Sequence, residues 1–242
     1  MPFPVINFQD FSEAHTAYQT LLDHATSLCY VSCKNSLQDE CCANLENFVT
    51  SGSRVLRLKL NVLGDEEGVK KLIVLEAQLT AIYHELACLL LLKSNEAEKA
   101  WDHLVLAQEC VKVVGRFFGN AEGQFDRLRV LEMLLFPQQS FMSVGIIVQE
   151  SECSICTGNY EICDHVAGEI YGAELCRRTI TKLELKETSF LGNKEPKDRR
   201  CRVTHISRNG VKVNLMTRET ESCEKNETIL YANFQGKNPN EE

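Results

Sequence analysis

The sequence predicts an α+β protein, an N-terminal α-helical bundle followed by a small antiparallel β module, and three observations carry the prediction. Up to about residue 136, apolar residues recur at alternating gaps of three and four, which places them on single helix faces. From Phe141 onward the apolar period falls to two, the signature of half-buried strands. Within that second regime, residues 150–176 (ESECSICTGNYEICDHVAGEIYGAELC) gather five soft side chains: Cys153, Cys156, Cys163, His165 and Cys176.

About five helices are expected. Pro2 and Pro4 keep residues 1–9 extended. Phe11, Ala14, Tyr18, Leu21, Ala25 and Leu28 then form the stripe of a first helix. A second starts at Ser36, with Asp39 three residues on in the manner of a capping box, and buries Leu45, Phe48, Val49, Val55, Leu56 and Leu63. Gly52 weakens it and Gly64 stops it. Leu72, Leu75, Leu79, Ile82, Leu86 and Leu89 give a third helix an a/d stripe, and Leu90, Leu91 and Leu92 make its end apolar all round, so it should be central. Asn95 with Glu98 is read as the cap of a fourth, whose inner face is Ala97, Ala100, Leu104, Ala107, Val111, Val114 and Phe118, with Trp101 as a core anchor. A fifth, from Glu122 to Phe136, turns Phe125, Leu128, Leu131, Met133 and Leu135 inward before Pro137 ends it.

Residues 137–140 (PQQS) mark the expected boundary, giving an acidic helical bundle at 1–137, a β module at 141–235 and a disordered tail at 236–242. In the module, 141–149 and 179–188 read as strands, the latter alternating Leu183 and Leu185 with Lys182, Glu184 and Lys186. Asn209-Gly210 is a two-residue hairpin signal that sets Ile206 opposite Val213, Thr204 opposite Leu215 and His205 opposite Asn214. A further edge strand is expected at Thr228–Phe234.

The cysteine cluster has the spacing of a metal site. Cys153 and Cys156 are two residues apart, and Cys163 and His165 follow after six more. Two pairs of soft ligands arriving at one centre satisfy a tetrahedral ion, so the expected ligands are Cys153, Cys156, Cys163 and His165, with Cys176 as the alternate. Such a site is structural zinc: four protein ligands leave no position for a reacting water. A redox pair is disfavoured because Thr157, Gly158 and Asn159, turn residues, follow where a helix would be needed. Cys41 and Cys42 have no nearby partner pair and read as ordinary thiols.

The segment CSICTGNYEICDH, with IYGAELC and the charged strand after it, resembles cysteine-rich zinc modules of uncharacterised bacterial and phage-linked proteins. The stretch KLELKETSFLGNKEPKDRRCRVTHI is similar to a segment of phage prohead proteases. Together these cover about residues 150–206. The chemistry of such a protease would lie upstream, where this chain reads as helical, so the resemblance implies no activity. It implies an accessory or regulatory role in bacterial stress or phage defence. The hairpin of the third and fourth helices, separately, resembles one tetratricopeptide unit.

Composition bounds the function. The chain has 242 residues, 44% apolar and 25% charged, enough for one large or two ordinary domains. No uninterrupted run of about 18 apolar residues occurs, since Glu76, Gln78, His84 and Glu85 break the longest. With twelve cysteines and a first segment unlike a signal peptide, a reducing, cytoplasmic setting is expected. Residues 1–150 carry 12 basic against 19 acidic side chains, so that half repels a nucleic-acid backbone and suits a protein partner. Phosphate-binding glycine loops, the G-x-S-x-G elbow and H-E-x-x-H are all missing from the sequence. The leading expectation is a non-enzymatic adaptor with a structural zinc site. The alternatives are nucleic-acid binding through Arg177, Arg178, Arg199, Arg200 and Arg202, and a hydrolase built on another Cys/His pair.

Overall fold

A computed structural model describes residues 7–119, 121–194, 196, 198–223 and 228–233. The expectations for residues 1–6 and for the tail at 236–242 lie outside these. Contacts divide the chain into two units, one of residues 1–128 with 148–183 and one of residues 129–147 with 184–242. The boundary expected at 137–140 falls inside the second unit, and the cysteine segment groups with the helices.

The helices follow most of the apolar stripes, but Val55 and Leu63, expected inside the second, are 45% and 79% exposed. Helix α1 (Phe11–Leu28) opens on Asp10, whose carboxylate accepts the Glu13 N–H at 3.0 Å. Helix α2 (Asn35–Asn47) continues through a π turn (Phe48–Ser53) into α3 (Arg54–Val62), so the single second helix expected is one rod with a bulge at Gly52. The Ser36–Asp39 capping box does not form. The helix starts behind Lys34 without a side-chain cap, and the Lys93 ammonium holds its first turn by donating to Asn35 Oδ1 (3.0 Å) and Gln38 Oε1 (2.5 Å). The π turn lets Phe48 and Ser53 both face inward, and Ser53 donates to Glu76 Oε1 at 2.5 Å.

Helix α4 (Glu66–Lys93) is the centre of the helical unit. All six residues of its a/d stripe are buried, together with Ile73, Val74, Ala81 and Cys88 on other faces. By length and composition it could cross a membrane, but 67% of its apolar window is buried against protein, which is what a central core helix looks like. Asn95 ends α4 rather than capping its successor. At φ 60° it adopts the left-handed conformation that asparagine tolerates, and the next N–H, of Glu96, reaches back to Leu91 O at 2.8 Å. Helix α5 (Ala97–Phe118) then buries Ala100, Trp101, Leu104 and Ala107. In α6 (Glu122–Leu135) Leu128 is fully buried, while Met133, expected inward, is exposed.

The strands form one six-stranded antiparallel sheet and a small hairpin. In the sheet, β4 (Arg178–Gly192), β1 (Phe141–Cys153), β5 (Arg202–Arg208), β6 (Val211–Asn214) and β7 (Thr220–Ser222) lie in that order, with β8 (Ile229–Asn233) also on β5. The hairpin joins β2 (Ile170–Tyr171) to β3 (Glu174–Leu175). Asn209 (φ 53°) and Gly210 (φ 76°) make the expected turn, and Ile206 faces Val213 and His205 faces Asn214 as its register requires. β1 meets β5 at a single pair, Phe141 with Arg202; β8 already pairs Arg202 on the opposite side, and further along β5 the side of β1 is taken by β6. The remainder of β1 therefore runs on with β4 alone as a two-stranded ribbon. Here the structure corrects the sequence: Leu183 and Leu185 are 51% and 59% exposed, because both faces of β4 are open to solvent over its first thirteen residues.

Candidate metal centre

The end of that ribbon is where the soft side chains meet. Cys153, the last residue of β1, enters a tight knuckle: the Thr157 N–H returns to Cys153 O, and the Cys153 N–H to Gly158 O, both at 2.9 Å. Closing the turn requires φ 55° at Thr157. Inside it the Ile155 N–H donates to Cys153 Sγ at 3.4 Å. The Asn159 side chain then accepts the Glu161 N–H at 3.0 Å, capping a 3₁₀ turn (Tyr160–Ile162) that delivers Cys163. The β2–β3 hairpin brings the chain home. Gly168 N–H donates to Cys176 O and Cys176 N–H to Glu169 O, each at 2.8 Å, and Ser154 and Arg177 bond across the base.

The result is a compact donor set. The ligand atoms of Cys153, Cys156, Cys163 and His165 all lie within 4.8 Å of one another, so these four can hold a metal ion. They are the four that the spacing selects. Among the described residues, His165 Nδ1 is buried without a hydrogen-bond partner, an orphan that an ion would satisfy. The His165 ring is held edge-on to Tyr171, with centroids 4.6 Å apart, and the Tyr171 hydroxyl is itself fixed by the Val166 N–H at 3.0 Å. Cys176 sits 3.8 Å from Cys153, sulfur to sulfur.

The sulfurs are unequal. Desolvation works to raise the Cys153 thiol, but N–H groups of Cys156 and Ile155 point at its sulfur and bring it down to about 6. Burial, reinforced by the neighbouring Cys153 sulfur, pushes Cys176 up to about 11, and burial also raises Cys163. At 3.8 Å from Cys153, Cys176 stays beside the four as the alternate donor.

The knuckle is tethered within its own unit. Arg116 of α5 meets Glu169 at 2.5 Å, and it lies so close over Gly168 that a Cβ there would stand 2.2 Å from its Nη1. Gly168 also has φ +89°, so glycine is required twice over. Arg178 pairs with Glu161, donates to Ser151 Oγ at 3.2 Å and stacks over Tyr160.

The arginines considered for nucleic acid are mostly engaged elsewhere. Arg178 is committed as above, Arg199 pairs with Glu132, Arg200 grips Asp198 with bonds of 2.8 and 2.9 Å, and Arg202 is fully buried. Arg177 is exposed. Two features of the helical unit were not legible as sites. The imidazoles of His84 and His103, nineteen residues apart on α4 and α5, meet at 2.9 Å between Nδ1 atoms. Glu76 and Glu85, read in the sequence as interruptions of an apolar run, are buried and paired with Arg57 (2.7 Å) and Arg127 (2.5 Å). Charged residues inside an apolar stripe were the available signal.

No protein-family model, no curated protein and no solved structure matches this chain.

Proposed function

We propose that the chain is a non-enzymatic interaction protein in which one structural zinc ion sets the cysteine knuckle. The observation that carries this reading is the convergence of three cysteine sulfurs and one imidazole nitrogen within 4.8 Å. Three sulfurs and a nitrogen are a donor set that zinc favours, and a tetrahedron filled by protein has no vacancy for water or substrate. Cys153, Cys156, Cys163 and His165 would hold the ion, whose chemistry is to cross-link rather than to activate.

A protein partner is supported by the helical unit. Helix α3 buries Leu56 and turns Val55, Leu58 and Val62 outward at 45%, 50% and 85% exposure, one stripe at spacings of three and four. A stripe of that kind on a helix suits the apolar side of another protein and not a phosphate backbone. The pairing of Arg178, Arg199 and Arg200 with carboxylates counts against nucleic acid on the same grounds. The setting in bacterial stress or phage defence rests on the resemblance of residues 150–206 alone.

The test is retention of a partner by the full chain, compared with a Leu58→Asp, Val62→Asp variant. Loss of the partner with unchanged helix content supports the reading. Equal retention removes α3 as the docking face, and turnover of any substrate abolished by a single Cys or His substitution would replace the reading with an enzyme.

A further inference from the structure

Strand β4 is in an unusual physical position. It is fifteen residues long, it forms one edge of the sheet, and its first thirteen residues are all exposed. Proteins shield long edges with bulges, prolines or covering elements, because the unpaired N–H and C=O groups recruit other strands. Arg178–Gly192 has no proline, and among the described residues its shielding is confined to charged side chains such as Lys182 and Lys186. The edge also presents Ile180 (39%), Leu183 (51%), Leu185 (59%) and Phe190 (56%) to solvent. Beyond the Phe141–Arg202 pair, β4 has β1 as its sheet neighbour, and a two-stranded ribbon is marginal in water without a third strand.

We propose that β4 pairs antiparallel with β4 of a second copy of this chain, making a four-stranded sheet β1-β4-β4-β1 across a two-fold axis at Leu185. The charges select both the occupant and the register. With Leu185 facing Leu185, Glu184 lies opposite Lys186 of the second copy, and the reverse pair repeats across the axis. Ile180 then faces Phe190, and Thr181 faces Ser189. Moving the axis one residue to Glu184 sets that carboxylate against itself and Lys182 against Lys186, which like-charge repulsion opposes. Moving it to Lys186 opposes the two ammonium groups directly. An axis at Leu183 keeps an opposite-charge pair but places Ile180 against Lys186 and leaves Phe190 beyond the paired segment.

The side chains on β4 are already disposed for this. Lys182 reaches inward to Glu150 at 3.2 Å, and Glu187 lies over Gly145 of β1. Glu184 and Lys186 instead pair with each other at 2.7 Å on one face and are each about half exposed, free to exchange that contact for the same contact between copies. The sequence Glu-Leu-Lys is self-complementary when read against its own reverse. That is the reason a second copy is favoured over an unrelated strand.

Sedimentation equilibrium on the full chain, with hydrogen exchange along β4 at low and high concentration, tests this. A dimer is expected, with amides of 180–190 protected more strongly as concentration rises. Glu184→Lys places two pairs of like charges across the axis and should weaken association about tenfold. The exchanged pair Glu184→Lys, Lys186→Glu restores both opposite-charge contacts and should return the dimer to within about twofold of the original. All these positions are exposed, so folding is unaffected. A monomer at every concentration overturns the proposal and leaves the edge to a strand of another protein. A dimer indifferent to Glu184→Lys, or not rescued by the exchanged pair, overturns it too.

Discussion

The cysteines of the helical unit and those of the knuckle are the same residue put to opposite uses. Cys41 and Cys88 are 0% and 3% exposed, packed among apolar side chains, and burial pushes their thiols up to about 11 and about 12. There the sulfur is a small hydrophobe. In the knuckle, Cys153 is as well hidden, at 1%, yet backbone N–H groups draw its thiol down to about 6. The difference lies in what surrounds them. Helix α4 alone buries eleven apolar residues, whereas the buried apolar residues described between 153 and 176 are Cys153, Ala173 and Cys176. Burial of apolar area holds the first region. The second has little of it, and in the proposed reading directional bonds to one ion supply the rest.

Removing the ion should separate the two regions more than any other change. Binding of structural zinc is worth about 10–16 kcal/mol at neutral pH in small modules. Cys153→Ser or Cys156→Ser is therefore expected to lose the metal and open residues 153–176 to hydrogen exchange, while far-ultraviolet circular dichroism keeps its helical amplitude. Parallel melting of both regions would break the comparison.

The reverse experiment acts on the helical core. Leu79→Ala or Leu86→Ala, both at fully buried positions of α4, should lower stability by about 2–5 kcal/mol in urea unfolding with the metal content unchanged. Breaking the buried ion pair is comparable in size. Arg57→Leu leaves the Glu76 carboxylate with Ser53 and only the weaker pull of Arg54, a loss of about 3 kcal/mol at neutral pH. Desolvation raises Glu76 above the ordinary carboxylate value even with Arg57 present. A folded value above the unfolded one means that the native state binds the extra proton. The penalty is thus fully present above the raised value and relieved as pH falls through it. The Arg57→Leu deficit should shrink in mildly acidic solution, and a deficit independent of pH would contradict the assignment.

Alkylation sharpens the comparison at smaller cost. With metal removed, iodoacetamide should label Cys153 and Cys156 first, by mass spectrometry, and spare Cys41 and Cys88; with metal bound, the knuckle should resist as well. Smallest is Gly168→Ala, which must displace Arg116 and strain a left-handed residue, for about 1–2 kcal/mol confined to exchange rates in the knuckle.

Much of this was legible in the sequence because it is encoded locally. The α4 stripe, the Asn209-Gly210 turn and the clustering of Cys153, Cys156, Cys163 and His165 each follow from spacing within one short segment. What was hidden depends on distant partners. Asn95 reads as the cap of the fourth helix, but its left-handed φ of 60° makes it the end of α4 instead. Leu183 and Leu185 alternate like a covered strand, but alternation does not reveal that β5 passes from β1 to β6 and leaves β4 on a two-stranded ribbon. His84 and His103 meet through the geometry of a helical hairpin that no local pattern announces.

The central claim, that an ion does for the knuckle what apolar burial does for α4, is tested most directly by X-ray absorption at the zinc edge on freshly purified full-length protein, with the metal quantified on the same sample. About one zinc per chain is predicted, with three sulfurs at about 2.3 Å and one nitrogen at about 2.0–2.1 Å. Protein that carries no metal, yet keeps residues 153–176 as protected from hydrogen exchange as the helices, would contradict it.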